Sequence, residues 1–484
     1  MTVSAPTPAA SVGLVRGLGL LAAAALVIGD VIGTGVFLKA RVMTCNVGTP
    51  GLVVTVWVVA GLLSLAGALT YAELSAMMPR AGGEYVFIRQ AYGRLPGFLY
   101  GWTRFFVAST GGIAGLAAGF AIFINVLAGG ALQAQASLDL FGYSFLVTGQ
   151  QGMAIAAILV VTILNCTTVA VGGRIAFLLT VFKIALVLGI GLGAMLLADG
   201  SWAHFALSNE GGACEGVAAA ARGGAAGFGA AMLGAMWAYN GWNEVTYVAE
   251  EVKDPQRNLP LALIGGLGVI ASLYIFVNVA YFYVLTPTEV AGIPESSSVA
   301  TEVITRMLGA GAATAMAGVL AMSIFGALQI AALVCARIPY AMARDGMFFS
   351  GLARVSPRTH VPIRALLVQG AWAIVLVLSG SYDTLTDYAI FSVLIFVALG
   401  TASVFVFRRR LPDAERAYRA WGYPVVPALF LVVTGWLLIN TLLTTPGRAV
   451  AGLALMALGL PFYWYWARQG RIADPSTSSG SAPS

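Results

Sequence analysis

Long apolar runs recur from one end of the chain to the other, and short polar stretches separate them. Most runs are long enough for a helix to cross the hydrocarbon core of a bilayer, which takes about 20 residues. The pattern therefore predicts an all-α integral membrane protein with about twelve transmembrane helices. The predicted spans are roughly Leu14–Leu38, Gly51–Met78, Gly97–Leu127, Met153–Val169, Ile175–Ala198, Ala226–Val248, Leu259–Leu285, Ala312–Ala341, Ile363–Ser379, Leu385–Phe407, Val425–Leu443 and Ala449–Trp466.

The first span carries a polar interruption that an unbroken membrane helix would not have. Asp30 is ionisable, and Gly33 and Gly35 flank Thr34 in the same apolar run. Each glycine lowers helix propensity by about 1 kcal/mol relative to alanine. Non-helical backbone at membrane depth persists only where it is buried in protein or lines a cavity. We therefore predict a broken helix whose freed backbone groups face a substrate.

The sixth span has a matching interruption. Trp237, Asn240, Gly241, Asn243 and Glu244 fall within an otherwise apolar helix. Interruptions at corresponding positions of two halves are typical of a transporter built from inverted repeats, with its substrate site between them. Glycine also serves close helix packing in membranes, so it is the pairing of the two breaks that favours a binding site.

The two breaks together predict the chemistry of the ligand. A half-helix that begins within Gly33–Gly35 presents N–H donors to an anion, and the threonine between the glycines adds a hydroxyl group. Freed carbonyl oxygens suit an ammonium group, and we expect them at Val31 and Ile32 and at Trp237 and Asn240. A carboxylate and an ammonium group one carbon apart describe an α-amino acid.

Composition and charge agree with a membrane protein and predict its orientation. Of 484 residues, 59% are hydrophobic and 10% are charged, with a mean hydropathy of +0.88. Of the 26 Lys and Arg residues, 20, including Arg104, fall on one predicted side, five fall on the other, and Lys183 lies within a span. The positive-inside rule assigns the larger set to the cytoplasm. The net charge of +6 therefore reflects topology, with both termini cytoplasmic in a multi-pass protein of the cell's inner (plasma) membrane.

The apolar runs are spread evenly, which predicts a single transporter domain over residues 14–467. Residues 1–13 are predicted to form a disordered cytoplasmic N-terminus, and residues 468–484 a disordered Ser-rich cytoplasmic tail. The first basic residue is Arg16, so the N-terminus lacks the early positive charge of a signal peptide.

Few residues suggest reactive chemistry. Cys45 and Cys214 fall in predicted outer connections, where an oxidising exterior permits a disulfide; two free thiols are the alternative. The only histidines, His204 and His360, lie in predicted loops, and no nucleophile–base or metal-ligand spacing is present. We therefore expect no enzyme activity and no cofactor.

Two sets of motifs resemble a known family. The first set resembles the amino acid–polyamine–organocation superfamily: Ile32–Phe37 (IGTGVF), Tyr71–Leu74 (YAEL) and Gly82–Tyr85 (GGEY). The second, more specific set resembles the L-amino-acid transporter family within it: Trp237–Asn243 (WAYNGWN), Glu250–Pro260 (EEVKDPQRNLP), Ala336–Arg337, Arg344–Gly346 and Gly459–Pro461. The resemblance covers nearly all of the chain except the tails.

This resemblance implies the five-plus-five inverted repeat of the LeuT type, with helices 1 and 6 broken, two extra C-terminal helices and alternating access. It implies a substrate carboxylate on the backbone of Gly33–Gly35, and an amine near the carbonyls of Val31, Trp237 and Asn240. Trp237 matches an aromatic gate, and Asn243 matches a pocket-lining residue. The predicted substrate-binding residues are Val31, Ile32, Gly33, Thr34, Gly35, Trp237, Ala238, Tyr239, Asn240 and Asn243.

Lys183 lies near the middle of the fifth span, where a charged side chain is costly and is expected to face protein or water. In sodium-independent relatives, a fifth-span lysine resembles a built-in substitute for a sodium ion that bridges the first and eighth spans. The eighth span offers Val334–Ala336 here, with no pair of hydroxyl groups for sodium. We therefore predict sodium independence.

Three polar positions bear on coupling and substrate choice. Asp30 is acidic where several family members are neutral; it either pairs with Lys183, the favoured reading because buried opposite charges each need a partner, or takes part in proton coupling. An acid at position 240 accompanies cationic substrates in some relatives, so Asn240 favours neutral amino acids, although Glu244 lies close by.

The prediction is a sodium-independent exchanger or facilitator of neutral L-amino acids. The alternative is a proton-coupled amino acid or amine symporter that uses Asp30 or Glu244.

The connection between the third and fourth spans, Gly129 to Gly149, contains no cysteine. Animal family members use a cysteine there to bond a heavy-chain partner. We therefore expect no heavy-chain partner, and we expect the amino acid substrate and the lipid bilayer, but no nucleic acid, as binding partners.

Overall fold

The structure is a computed structural model that describes residues 13–140, 143–294, 297–309, 311–379, 382–444 and 446–468. The predicted disordered ends, residues 1–13 and 468–484, lie outside these ranges except for one residue each. The described chain is a multi-pass all-α membrane fold, as predicted. Its helices are α1 (Leu20–Val31), α2 (Gly35–Val47), α3 (Pro50–Met77), α4 (Glu84–Tyr92), α5 (Arg94–Thr103), α6 (Thr110–Leu127), α7 (Gly149–Asn165), α8 (Val169–Leu197), α9 (Gly224–Ala238), α10 (Pro255–Val284), α11 (Pro287–Gly292), α12 (Val299–Leu308), α13 (Ala312–Cys335), α14 (Arg337–Arg344), α15 (Ile363–Ser379), α16 (Tyr382–Arg410), α17 (Val425–Thr444), α18 (Pro446–Ala457) and α19 (Gly459–Arg468).

The number of spans agrees with the apolar pattern. Within the described ranges, eight helical segments are long and apolar enough to cross a membrane, and the bent pair α1 and α2 makes a ninth. Three shorter apolar helices, α7, α9 and α15, bring the set to twelve. The third span runs from α5 to α6 through a π-helical turn at Arg104–Ser109.

The boundary between the fourth and fifth spans differs from the prediction. The sequence suggested a break at residues 172–174, but α7 ends at Asn165 and α8 begins at Val169. The Thr168 side chain caps α8 by accepting a hydrogen bond from the backbone N–H of Val171. Gly172 stays helical and allows a close approach, since a Cβ atom there would lie 2.6 Å from a Leu333 side-chain carbon. The glycine therefore serves packing rather than a turn.

The third-to-fourth connection is more ordered than a loop. It contains two antiparallel strands, β1 (Gln135–Leu140) and β2 (Tyr143–Thr148), whose register pairs Gln135 with Thr148. Two short helices that the apolar pattern did not predict, α11 and α12, lie between the seventh and eighth spans.

The mixture of polar and apolar residues over Gly82–Gly93 predicts an amphipathic cytoplasmic helix that lies on the membrane face, and α4 forms within this segment. Glu84, Tyr85, Phe87 and Ile88 are all buried, and Arg89 forms an ion pair with Asp345 at 2.8 Å. The helix is therefore packed against the protein through most of its residues, and its position on the membrane face stays a prediction.

Cys45 and Cys214 form a disulfide, with Cα atoms 5.6 Å apart. Of the two alternatives that the sequence left open, the structure therefore contains the bonded one. The bond joins α2 to the connection before α9, and the Asn46 side chain strengthens this link by donating to the Ala221 carbonyl at 2.6 Å. The C-terminal end of the first span and the segment that leads into the sixth span are thereby tied together.

Candidate functional site

The first break follows from how α1 ends and α2 begins. The two helices meet at an angle of 41°, and the Gly33 N–H turns back to the Val31 carbonyl at 2.8 Å. Gly35 and Val36 open α2, so their N–H groups have no partner one turn earlier in the helix. Among the described residues no other acceptor takes them up. These N–H groups are therefore free donors at the N-terminal end of α2, where the helix dipole is positive.

The second break follows α9, which ends at Ala238. The Asn240 N–H bonds to the Trp237 carbonyl at 3.1 Å, and Gly241 then adopts a φ of +109°, a conformation that favours glycine. The chain continues as a 3₁₀ helix over Trp242–Glu251. Both interruptions that the sequence predicted are therefore present.

The two breaks lie against each other. A Cβ atom on Gly35 would lie 2.6 Å from the Cβ of Ala238. Only glycine permits this approach, because any side chain at position 35 would collide with α9. The Lys39 ammonium group lies 4.6 Å from the ring centroid of Trp237, which is a cation–π contact.

A cavity of about 400 Å³ lies between the two breaks. Nine of the predicted residues line it: Asp30, Val31, Gly33, Thr34, Gly35, Trp237, Ala238, Asn240 and Glu244. Apolar residues from neighbouring helices supply much of the remaining wall, among them Leu116, Ile122, Leu233, Met236, Ile324 and Leu394. A pocket with a few polar groups and largely apolar walls suits a small ligand.

Three predicted substrate residues do not line this cavity. Ile32 is fully buried. The Tyr239 hydroxyl donates to the Trp57 carbonyl at 3.2 Å. The Asn243 amide donates to Glu84 at 2.7 Å. In this structure their side chains pack inside the protein, next to residues that line the cavity.

Lys183 is completely buried, and its ammonium group donates to the carbonyls of Gly29 at 2.5 Å and Ile32 at 2.7 Å. Its side chain also lies close to α13, since a Cβ atom on Gly326 would lie 3.0 Å from the lysine Cε. Lys183 thus connects the first and eighth spans. It forms no close ion pair with Asp30 among the described residues, but the two charges attract each other, and their pairing stays a prediction.

Arg104 is a site residue that sequence reasoning missed, because it was counted as a cytoplasmic charge. It is buried in the third span, lines the cavity and forms an ion pair with Glu244. The Cys335 thiol also donates to Glu244, at 3.2 Å. The sequence signal for Arg104 was its position seven residues inside a predicted apolar run. An arginine at such a position is expected to have a buried partner.

Arg104 connects the cavity to a second buried acid. Its guanidinium group also donates to the Tyr247 hydroxyl, and Tyr247 in turn lies 3.2 Å from Glu84. The Tyr100 hydroxyl donates to Glu84 at 2.9 Å, and the Tyr71 hydroxyl is a further donor. Together with Asn243, three tyrosines therefore surround the Glu84 carboxylate.

A comparison with known families decides what kind of protein has this site. The model of a family described as amino acid permease matches residues 18–462, which is nearly the whole described chain. The chain belongs to the amino acid permease family. The resemblance to L-amino-acid transporters of the amino acid–polyamine–organocation superfamily is thereby confirmed, and the protein is an amino acid transporter.

Relatives from bacteria and animals match over most of their lengths. The chain is 30% identical to the serine/threonine exchanger SteT of Bacillus subtilis (strain 168), over 93% of this chain and 97% of that protein. It is 31% identical to the large neutral amino acids transporter small subunit 2 of Oryctolagus cuniculus, over 94% and 82% of the two chains. It is 28% identical to the b(0,+)-type amino acid transporter 1 of Mus musculus, over 96% and 91%.

Proposed function

We propose that this permease moves neutral L-amino acids across the plasma membrane by alternating access, as an exchanger or facilitator that does not use sodium. The observation that carries the proposal is the cavity between the two broken helices. The free N–H groups of Gly35 and Val36 supply the anion-binding end. The acidic, carbonyl-rich ends of α1 and α9 supply the cation-binding end.

The walls of the cavity support a neutral side chain. Leu116, Ile122, Leu233 and Ile324 are among its lining residues, and a charged side chain placed against them would lose its hydration without a partner. The Glu244 carboxylate already has Arg104 as its ion-pair partner. This arrangement agrees with the printed names of two relatives, which refer to serine/threonine and to large neutral amino acids.

The position of Lys183 supports sodium independence. A sodium ion bound to protein needs several oxygen ligands, and the carbonyls of Gly29 and Ile32 already accept from the lysine ammonium group. A second cation at these oxygens would meet a like charge in a medium of low dielectric constant, where repulsion is strong.

A proton-coupled symporter is the second candidate, and the pair Asp30 and Glu244 favours it. Both carboxyl groups line the cavity and lie next to each other. Two neighbouring carboxyl groups often share a proton, because like charges at close range disfavour double ionisation.

We further propose that the permease works without a heavy-chain partner. The printed name of one animal relative describes it as a small subunit. In this chain residues 129–149 contain no cysteine for a covalent link. We also propose cytoplasmic termini, on the strength of the Lys and Arg distribution.

Transport by the purified protein in liposomes tests these proposals. Liposomes preloaded with serine, threonine, alanine or leucine receive labelled amino acid outside, in sodium or choline buffer, with and without an inward pH gradient. We expect uptake that is equal in both buffers. Uptake that needs an internal neutral amino acid identifies an exchanger, and uptake into empty liposomes without accumulation identifies a facilitator. Uptake only in sodium buffer would contradict the proposal that transport does not use sodium. Accumulation in empty liposomes that follows the pH gradient would favour the symporter.

A further inference from the structure

A second cavity lies beside the π-helical turn Arg104–Ser109 of the third span. Its volume is about 260 Å³, and this turn, the segment after α14 and one face of α15 form its walls. We infer that this apolar groove binds one acyl chain of an anionic phospholipid, whose phosphate headgroup lies on Arg364. The inference goes beyond the proposed function and does not depend on which substrate is carried.

The walls of the apolar groove offer nothing to a polar ligand. The rings of Phe105, Phe106 and Phe348 pack edge to face, with centroids 4.8, 5.4 and 6.1 Å apart. The one polar atom among the lining side chains is the indole nitrogen of Trp372, and its N–H group donates to the Phe106 carbonyl at 3.0 Å. A polar group placed there would lose its hydration without a partner, so the groove suits a hydrocarbon chain.

The floor of the groove is buried, whereas its rim is exposed. Phe105 and Phe348 are 4% and 3% exposed, but Val368, Val375 and Phe349 are 42%, 48% and 60% exposed. Two of the rim residues belong to α15, an apolar helix of a predicted span, so the rim faces the acyl chains of the bilayer. An empty groove would leave its rings without partner atoms, and an acyl chain supplies those dispersion contacts.

Arg364 lies at one end of the groove, on the same face of α15. It precedes Val368 by four residues, and Val368 precedes Trp372 by four, which is the spacing of neighbours on one helix face. The step from Arg364 to Val368 is about 6 Å along the helix, and the groove continues for about 10 Å to Val375. A phosphate on the arginine therefore leaves the attached chain at the entrance of the groove.

Arg364 is free to bind a phosphate group. Its side chain is exposed, and within the part of the chain that the structure describes it forms no ion pair and no hydrogen bond. The planar guanidinium group presents several N–H donors in a geometry that matches phosphate oxygens. Arg364 also belongs to the first turn of α15, where the helix dipole is positive.

The surroundings of Arg364 favour a lipid with a net negative charge. Residues 346–379 contain no Asp or Glu but three exposed arginines, namely Arg354, Arg358 and Arg364. The Arg364 side chain reaches the turn that follows Phe349, since a Cβ atom on Gly351 would lie 3.5 Å from its Nη1 atom. Asp345, the acid just before this segment, is already paired with Arg89 at 2.8 Å. Basic residues next to a span attract anionic headgroups.

The groove and the substrate cavity share the π-helical turn. Arg104 and Ser109 line the substrate cavity, whereas Phe105 and Phe106 line the groove. Such turns inside a helix are frequent at functional sites. An acyl chain in the groove therefore contacts the same turn that carries two residues of the substrate cavity.

Photo-crosslinking of lipids to the purified full-length protein in detergent tests the inference. The probes are phosphatidylglycerol and phosphatidylcholine with identical acyl chains that carry a diazirine, and mass spectrometry locates the labelled peptides. We expect label at residues 348–349 and 368–375. Half-maximal labelling by phosphatidylglycerol is expected at a concentration at least about fivefold lower, which is the effect of one basic residue. Equal concentrations for the two lipids, or label that avoids these residues, would overturn the inference.

Two variants separate the headgroup site from the groove. Arg364→Gln is expected to weaken labelling by phosphatidylglycerol about fivefold and to leave labelling by phosphatidylcholine unchanged. Its control is Arg257→Gln, at an exposed arginine of α10. Val368→Phe fills the groove and is expected to weaken labelling by both lipids about tenfold, the effect of about two methylene groups. Its control is Leu367→Phe, at the neighbouring exposed side chain, which lies outside the groove lining.

Unchanged labelling in Arg364→Gln would contradict the headgroup site, and unchanged labelling in Val368→Phe would contradict the site for the acyl chain. A lipid-free dimer that Val368→Phe dissociates would mean that a second copy of the chain covers the groove instead. If a variant does not fold, the comparison of the two lipids on the unaltered protein still decides the question. Lipid labelling as expected without amino acid transport would contradict the proposed function alone.

Discussion

Asp30 and Glu84 are two buried acids with opposite surroundings. Glu84 is almost fully buried, and three tyrosine hydroxyls and the Asn243 amide surround its carboxylate. Asp30 is partly accessible through the cavity, and its carboxyl group lies beside that of a second acid, Glu244. The two sites are connected by Arg104, which contacts both Glu244 and Tyr247.

The difference separates an acid whose hydrogen bonds hold several helices together from one that faces the cavity. A buried polar group is tolerated when its hydrogen bonds are satisfied, and it is costly when they are not. Satisfied donors around Glu84 fix the relative positions of α3, α4 and α5. Asp30 instead lies on the wall of the cavity beside a second acid, where a ligand can change its surroundings.

The largest effect is expected from Glu84→Ala. The substitution leaves several buried donors without an acceptor, each at a cost of about 1–3 kcal/mol. The free energy of unfolding is therefore expected to fall by at least about 3 kcal/mol. Equilibrium unfolding in mixed detergent micelles measures this change.

Glu302→Ala is the control for this substitution. Glu302 is about 42% exposed and pairs with Arg306, and an exposed ion pair contributes less than about 1 kcal/mol. If Glu84→Ala were as stable as the unaltered protein but inactive, Glu84 would belong with Asp30 as a functional acid.

Lys183→Met tests the buried cation at the first break, the same break that carries Asp30. The substitution removes two charged hydrogen bonds to Gly29 and Ile32, so the carbonyls at the first break lose their donor. Exchange in liposomes is expected to fall by about a hundredfold, which corresponds to about 3 kcal/mol. Lys253→Met, at an exposed lysine, is expected to retain full exchange. Full exchange by Lys183→Met would mean that transport does not need the lysine ammonium group in place of a sodium ion.

The fold was predictable because the bilayer imposes a strong pattern on the sequence. A span needs a run of apolar residues, so twelve segments and the two broken helices were visible without a structure. The early start of α8 was not predictable, because Gly172 resembles a turn until Leu333 is known to pack against it. The strands in the connection before α7 likewise carry no strong apolar signal.

The site was predictable only in part, because backbone exposure follows from helix breaks but side-chain partners do not. Gly33–Gly35 and Trp237 line the cavity as expected. The partners of Asn243 and Arg104 come from distant parts of the chain, Glu84 and Glu244, and no local pattern specifies them. The same holds for Lys183, whose contacts with the carbonyls of Gly29 and Ile32 no local pattern specifies.

Asn243→Ala sharpens the assignment of Asn243 to the Glu84 cluster. The substitution removes one of several donors to Glu84, so the free energy of unfolding is expected to fall by about 1–2 kcal/mol. The relative affinities for alanine, serine, threonine and leucine are expected to stay the same. Asn258→Ala, whose amide bonds to the Lys253 carbonyl near the surface, is the control. A changed order of affinities would instead mean that Asn243 contacts the substrate.

The smallest change in stability is expected from Asp30→Asn. Without ligand, the asparagine amide keeps a hydrogen-bonding group beside the Glu244 carboxyl group and the substitution removes a charge that repels it, so the free energy of unfolding is expected to change by less than about 1 kcal/mol. The effect of ligand is different. An amino acid at a hundred times its Kd stabilises a protein by about 2.7 kcal/mol, and a tenfold weaker affinity reduces this to about 1.4 kcal/mol. Unfolding with and without amino acid measures both quantities. A large loss of stability without ligand would place Asp30 beside Glu84 as a structural acid, because only an acid whose bonds are made within the protein costs the fold so much to remove.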